Sequence, residues 1–157
     1  MNIYLLTHSR ELKRKTNTGV LVQQTLATQC SIFEWQRKQP NPTLMQHIQN
    51  ESVALLYPHD HSVRLDKQQV LKFDSYILID ATWQEAQKMY NHSPYLHDLS
   101  KVVLKPDVAS IYTLRRNQKT SGLCTSECVS ALLNLYGQTT QANILDNKLT
   151  SHIKSLR

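Results

Sequence analysis

The densest concentration of chemically useful side chains lies in Tyr76-Ile-Leu-Ile-Asp80-Ala-Thr82-Trp83-Gln-Glu85. The apolar run before Asp80 reads as a buried strand and the residues from Trp83 onward as a helix, so Asp80, Thr82 and Trp83 sit on the turn between them. In a parallel sheet the carboxyl ends of the strands open onto the crevice where ligands bind. A carboxylate placed there can act as a general base or anchor a cation, and an indole can stack on a nucleobase. The same residues have a plainer use. Asp80 or Thr82 can cap the helix and Trp83 can fill the core, and on spacing alone that use has the edge.

Four further windows carry weaker signals. Arg10, Lys13, Arg14 and Lys15 precede Asn17-Thr18-Gly19, where a turn gives way to a helix. Helix-start amides beside cations suit phosphate, although charged loops are commonly just solvated and Thr18 and Gly19 can simply shape the turn. Leu56-Tyr57-Pro58 ends another strand, with Pro58 stopping it and orienting Tyr57 towards the crevice. His59-Asp60-His61 follows, but no third ligand stands at a recognisable spacing and Cys124-x-x-x-Cys128 is not a usual zinc pair, so no metal is expected. Arg115 and Arg116 close a last strand and can clamp phosphate or carboxylate bidentately. Beyond them, Leu123-Cys124-Thr125-Ser126-Glu127 opens a helix, with Thr125 suited to its cap and Glu127 to its first turn. Cys124 reads as a small buried residue, since no histidine lies at a telling distance for a nucleophile.

The elements that must position these groups follow from periodicity. Short apolar runs at 3–6, 30–33, 53–56, 76–79, 102–104 and 111–114 predict strands. Helical spacing at 20–27, 44–48, 83–90, 126–136 and 141–153 separates or follows them, with Thr18 a possible cap for the first and Gly137 a stop for the fourth. This alternation predicts an α/β domain with a mostly parallel sheet flanked by helices, occupying residues 1–157 as a single unit. No repeat, low-complexity tract or linker interrupts it.

Composition narrows the function classes. Of 157 residues, 40% are hydrophobic and 19% charged, which is the balance of a folded chain. The three glycines, at positions 19, 122 and 137, cannot write a dinucleotide-binding fingerprint or a P-loop. Eighteen basic residues against twelve acidic ones give a net charge of +6, a lean towards a polyanionic partner. No apolar run spans a membrane and no signal pattern is read at the N-terminus. Three cysteines form no disulfide scaffold, which points to a reducing cytoplasm.

Taken in order, Asn17-Thr18-Gly19, Leu56-Tyr57-Pro58, Asp80-Ala-Thr82-Trp83, Tyr112-Thr-Leu114-Arg115 and Leu123-Cys-Thr125-Ser-Glu127 resemble the motifs of the DTW-domain family, enzymes similar to tRNA-uridine aminocarboxypropyltransferases. The resemblance spans roughly residues 3 to 133. Many members carry an N-terminal cysteine cluster that is not found here, so no zinc is carried over. Thr113 stands where the family's arginine-rich strand often has its first arginine, which leaves Arg115 as the candidate.

The resemblance implies a SPOUT-like fold with a C-terminal trefoil knot. It also implies transfer of the 3-amino-3-carboxypropyl group of S-adenosylmethionine to N3 of a tRNA uridine, releasing methylthioadenosine. Asp80, Thr82 and Trp83 would then be catalytic, with Asp80 as the base. Leu56, Tyr57, Pro58, Arg115, Leu123, Thr125 and Glu127 would bind the co-substrate. Lys13, Arg14, Lys15, Asn17, Thr18 and Arg116 would meet the RNA. No membrane and no obligate protein partner is implied. Two alternatives stay open: an S-adenosylmethionine-dependent RNA methyltransferase using the same pocket, and a non-catalytic RNA-binding module.

Overall fold

The computed structural model describes residues 1–104 and 123–157. The first strand of its sheet is β1 (Asn2–Thr7), in which every residue from Ile3 to Thr7 is buried. Ile3 and Leu5 enter one apolar cluster and Tyr4 and Leu6 another. A strand apolar on both faces belongs inside a parallel sheet covered on both sides. Around it lie β2 (Cys30–Glu34), β3 (Val53–Leu56), β4 (Val63–Arg64), β5 (Ser75–Asp80) and β6 (Ser100–Val103). The order is β2-β1-β5-β3-β6-β4 and every pairing among the described residues is parallel. Thr7 pairs with both Glu34 and Asp80, so three neighbouring strands end level at one edge.

Helices cover both faces. After the single turn α1 (Ser9–Leu12), α2 (Gly19–Leu26) packs with α6 (Thr125–Tyr136) and α7 (Thr139–Ser155) over Ile3, Leu5 and Leu78, supplying Val22, Leu132, Leu133 and Leu145 to that core. On the other face, α3 (Pro42–Asn50), α4 (Trp83–Asn91) and α5 (Pro94–His97) bring Leu44, Met89 and Leu96 over Leu6, Leu55 and Ile77. Each such side chain, removed from water, contributes about 1.5–3 kcal/mol before entropy is counted. The helix ends follow local chemistry. Asn41 accepts hydrogen bonds from the Thr43 and Leu44 amides with Pro42 as the next residue, and Gly137 ends α6 in the left-handed region at φ +91°.

The strands and helices predicted from periodicity are present within a few residues, apart from the strand at 111–114, which lies outside the described residues. Among the described residues α1, α5, β4 and a 3-10 turn at Gln69–Lys72 escape that prediction; each is four residues or fewer, too short for a period to show. Thr18 occupies the cap position of α2 without capping it; its hydroxyl accepts a hydrogen bond from the Ser126 amide at 3.1 Å instead. The cap of α6 is Cys124, with Thr125 the first helical residue. Among the described residues no helix is long and apolar enough to cross a membrane.

At the edge where the strands begin, Glu51 joins the sheet to the end of α3. Its carboxylate accepts hydrogen bonds from the Tyr4 phenol, at 2.8 and 3.0 Å, and from the Ser75 hydroxyl, and it lies against His47 Nδ1. Burial alone would push this carboxyl up, but the bonds from Ser75, Tyr4 and His47, with the charge of His47, outweigh it and hold the pKa below its ordinary value. A carboxyl depressed on folding stabilises the fold above its unfolded pKa, and that contribution disappears as pH falls through the folded value. Glu51→Gln should therefore cost about 1–3 kcal/mol in urea unfolding at neutral pH. Its difference from the native protein should shrink below about pH 4. An unchanged difference at acid pH would show that the carboxylate charge is not what stabilises this edge.

Candidate active site

Asp80 is the last residue of β5 and is 1% exposed. Burying a carboxylate is costly unless donors replace the lost water. Asn17 Nδ2 donates to Oδ2 at 2.8 Å and Thr125 Oγ1 donates to Oδ1 at 2.8 Å. The first helical residue of α2 is Gly19, and a Cβ placed on it would stand 2.6 Å from Asp80 Oδ2 and 3.1 Å from Leu5 Cδ1. The absent side chain therefore lets the positive end of α2 approach the carboxylate closely. The bond from the Ser126 amide to Thr18 ties the starts of α2 and α6 together above it. Cys30 shares this interior. Burial, with the Asp80 charge adding to it, pushes its thiol up to about 12.

A second layer surrounds the turn after β5. Thr82 and Glu85 form a reciprocal cap on α4: the Glu85 amide donates to Thr82 Oγ1 at 3.2 Å and the Thr82 amide to Glu85 Oε1 at 2.9 Å. Arg14 turns inward, pairing with Glu11 and reaching Glu85 at 3.4 Å, while His8 Nδ1 stands 3.6 Å from the same carboxylate. Burial would raise the Glu85 pKa, yet the Thr82 bonds and the charges of His8 and Arg14 prevail and lower it. Glu11 is 2% exposed and also accepts from Asn17 Nδ2 at 3.4 Å. The basic segment is thus anchored from within by acids that the sequence places far apart.

The plainer use of this turn is realised only in part. Thr82 is a cap, whereas Asp80 is not, and Trp83 is 36% exposed at the first position of α4. Its ring lies nearly parallel to Tyr57, with centroids 6.0 Å apart and planes at 19°. Tyr57 in turn stacks on Tyr90 at 4.5 Å and 13°. Lys101 Nζ sits 5.6 Å from the centre of the Tyr90 ring. Burial, with Tyr90 beside it, raises the Tyr57 pKa, so the phenol stays neutral at physiological pH. Tyr90 was not singled out above, although it lies seven residues beyond Trp83 on the same face of α4.

The remaining predicted residues divide. Leu56 is half-buried and Pro58 exposed on either side of Tyr57, and Leu123 leads into α6. Glu127 accepts a hydrogen bond from the Cys124 amide at 3.1 Å and so completes the cap of α6. Cys124 is fully buried; burial first, then the Glu127 charge, pushes its thiol up to about 12, which removes it as a nucleophile at neutral pH. Lys13 and Lys15 are exposed, whereas Asn17 and Thr18 face Asp80 and α6 and so belong to the carboxylate site. Arg115 and Arg116 lie outside the described residues. Among the described residues no three His, Cys, Asp or Glu side chains converge as a metal-ligand set.

A parallel sheet covered by helices on both faces, with a buried carboxylate and an aromatic cluster at the ends of its strands, defines an open-sheet α/β domain. The chain belongs to the DTW domain family, whose model matches residues 1–156. It is similar to tRNA-uridine aminocarboxypropyltransferase 2 of Drosophila melanogaster, 29% identical over 136 residues that cover 83% of this chain and 54% of that protein. It is also similar to tRNA-uridine aminocarboxypropyltransferase 2 of Macaca fascicularis, 23% identical over 141 residues covering 85% of this chain and 47% of the relative. The chain thus spans about half the length of these curated relatives. No solved structure matches.

Gly19 provides a direct test of the site geometry. Alanine for glycine in a helix ordinarily stabilises by up to about 1 kcal/mol. Here the added methyl meets Asp80 and Leu5, so Gly19→Ala should destabilise by about 1–3 kcal/mol in chemical unfolding. A more stable variant would refute the close approach.

Proposed function

We propose that this protein is an S-adenosylmethionine-dependent tRNA-uridine aminocarboxypropyltransferase, moving the 3-amino-3-carboxypropyl group to N3 of a uridine in tRNA. The observation that carries this reading is the buried Asp80 carboxylate beside the exposed Trp83 ring, at the strand ends of a DTW domain whose relatives bear that name. The SPOUT-like topology with a trefoil knot and a cytoplasmic setting belong to the same proposal, supported by the parallel sheet and the resemblance of the motifs.

The residues fit the co-substrate by the chemistry of their groups. Trp83, backed by the buried Tyr57, offers a planar apolar surface for adenine, and the neighbouring carboxylate suits a cationic sulfonium or ammonium. When bound, the sulfonium supplies three electrophilic carbons, and the one lying in line with the nucleophile decides the product. Arg115 is assigned to the α-carboxylate of the methionine chain, with Thr125 assisting. Leu56, Tyr57, Pro58, Leu123 and Glu127 are assigned to the co-substrate in this reading.

Uridine N3 carries a proton and becomes nucleophilic only when that proton leaves. Asp80 takes it in this scheme, as a carboxylate within hydrogen-bond reach of the base can. N3 then bonds to the terminal carbon of the aminocarboxypropyl chain as the carbon–sulfur bond breaks, leaving the neutral thioether methylthioadenosine. Trp83 holds the target base or the adenine by stacking. Thr82 keeps the turn in place through its cap on α4.

Mass spectrometry of the by-product, with purified protein, S-adenosylmethionine and unmodified tRNA transcripts, tests the reading. Methylthioadenosine is the expected product; S-adenosylhomocysteine would make the protein a methyltransferase, and neither product across a tRNA panel would favour a binding module. Asp80→Asn should lower turnover by about 100-fold or more; its amide nitrogen also meets one of the donors from Asn17 and Thr125, so the unfolding midpoint falls too, and turnover is compared where the variant is still folded. Full turnover in that variant would remove the base assignment. Trp83→Ala should weaken binding of the stacked partner by about 1–3 kcal/mol.

A further inference from the structure

The parallel pairing of β1 with β2 brings together two segments that the chain separates by α2. Thr7 pairs with Glu34, the Trp35 amide extends the ladder to Thr7 O at 2.8 Å, and the His8 and Trp35 rings lie 6.3 Å apart with planes at 24°. The residues that follow, 9–15 on one side and 36–38 on the other, therefore leave the sheet side by side. They carry Arg10, Lys13, Lys15, Arg37 and Lys38, all exposed. None of the five pairs with an acid among the described residues.

The acids of this region are turned away from the surface. Glu11 and Glu85 are held by Arg14, and Asp80 by Asn17 and Thr125. Glu34 is the exposed carboxylate that remains on the rim, against five cations. Exposed charges of opposite sign are neighbours at other described positions, as at Asp66 with Lys67 and Lys72 with Asp74. A solvated loop surface has that mixture; a strip of five cations against one carboxylate, with the other nearby acids folded inward, suits a polyanion.

We propose that this rim is the track for the backbone of the RNA substrate, with Arg37, Lys38 and Arg10 as contacts alongside Lys13 and Lys15. The proposal rests on the RNA-substrate part of the function argued above. Adjacent strands lie about 4.8 Å apart, so the ends of β2 and β5 are roughly 10 Å apart. Phosphates held over β2 and β1 thus run beside the edge that carries Asp80. The aromatic groups Trp83, Tyr57 and Tyr90 stand on the opposite side, over β5 and β3. The crevice separates charge readout from base stacking.

Fluorescence anisotropy with a labelled unmodified tRNA transcript, at several salt concentrations, tests the track. The native protein, Arg37→Gln/Lys38→Gln, and the control Lys67→Gln/Lys72→Gln would be compared, each checked for an unchanged unfolding midpoint. The rim variant should bind about tenfold more weakly at low salt, and the slope of log affinity against log salt should become shallower by about 1 to 2. The control should match the native protein. In by-product assays the rim variant should raise KM for tRNA and leave kcat near native. Native affinity and slope in the rim variant, or equal losses in the control, would overturn the track while leaving the RNA reading intact. A native protein with no salt-dependent tRNA binding would overturn both.

Discussion

The rest of this structure depends on keeping one carboxylate out of water. Asp80 ends a central strand, and its charge is tolerable there only while donors replace the solvent it has lost. Those donors come from remote segments: Asn17 from the turn before α2 and Thr125 from the first residue of α6. The space for them comes from Gly19, whose bare Cα lets a helix start sit where any side chain would collide with the carboxylate. Strand end, turn and helix start are therefore mutually required. Removing one partner leaves a buried charge partly uncompensated, which is more damaging than the loss of one hydrogen bond.

The same logic extends outward. Glu11 and Glu85 are held close to the core, and Arg14 lies between them as their common counter-charge. Arg14 therefore differs from its neighbours Lys13 and Lys15, although all three stand in one basic run of sequence. By drawing the acids inward, this arrangement leaves cations at the ends of β1 and β2 and aromatic rings beyond β5. The crevice inherits an electrostatic side and a stacking side.

Much of the fold was legible because its signals are local. Ile3-Tyr4-Leu5-Leu6 is apolar at every position, as a strand covered on both faces must be, and Gly137 stops α6 as a glycine in the left-handed region does. Two-residue β4 and four-residue α5 have no period to read. At the site, Asp80 and Trp83 were visible as candidates, but their surroundings were not, because a carboxylate at a strand end reads equally as cap, base or anchor. Thr18 shows the limit most clearly. A threonine before a helix predicts a cap, yet its hydroxyl serves an amide 108 positions away, a partner that no local pattern names. Arg37 and Lys38 gain their meaning only from the register that sets Glu34 opposite Thr7.

The Thr18–Ser126 and Asp80–Thr125 bonds also set an order of events while the chain is being made. A ribosome delivers residues from the N-terminus at about 5–20 per second, so β1, β2, β3 and β5 emerge well before α6 and α7. Until α6 and α7 arrive, one face of the sheet lacks the cover of Leu132, Leu133 and Leu145, and Asp80 lacks its bond from Thr125. Contacts of such sequence separation slow folding and lengthen the exposure of sticky intermediates. The nascent protein thus exposes apolar sheet surface until α6 and α7 have emerged, and the same closing step that buries the sheet completes the site.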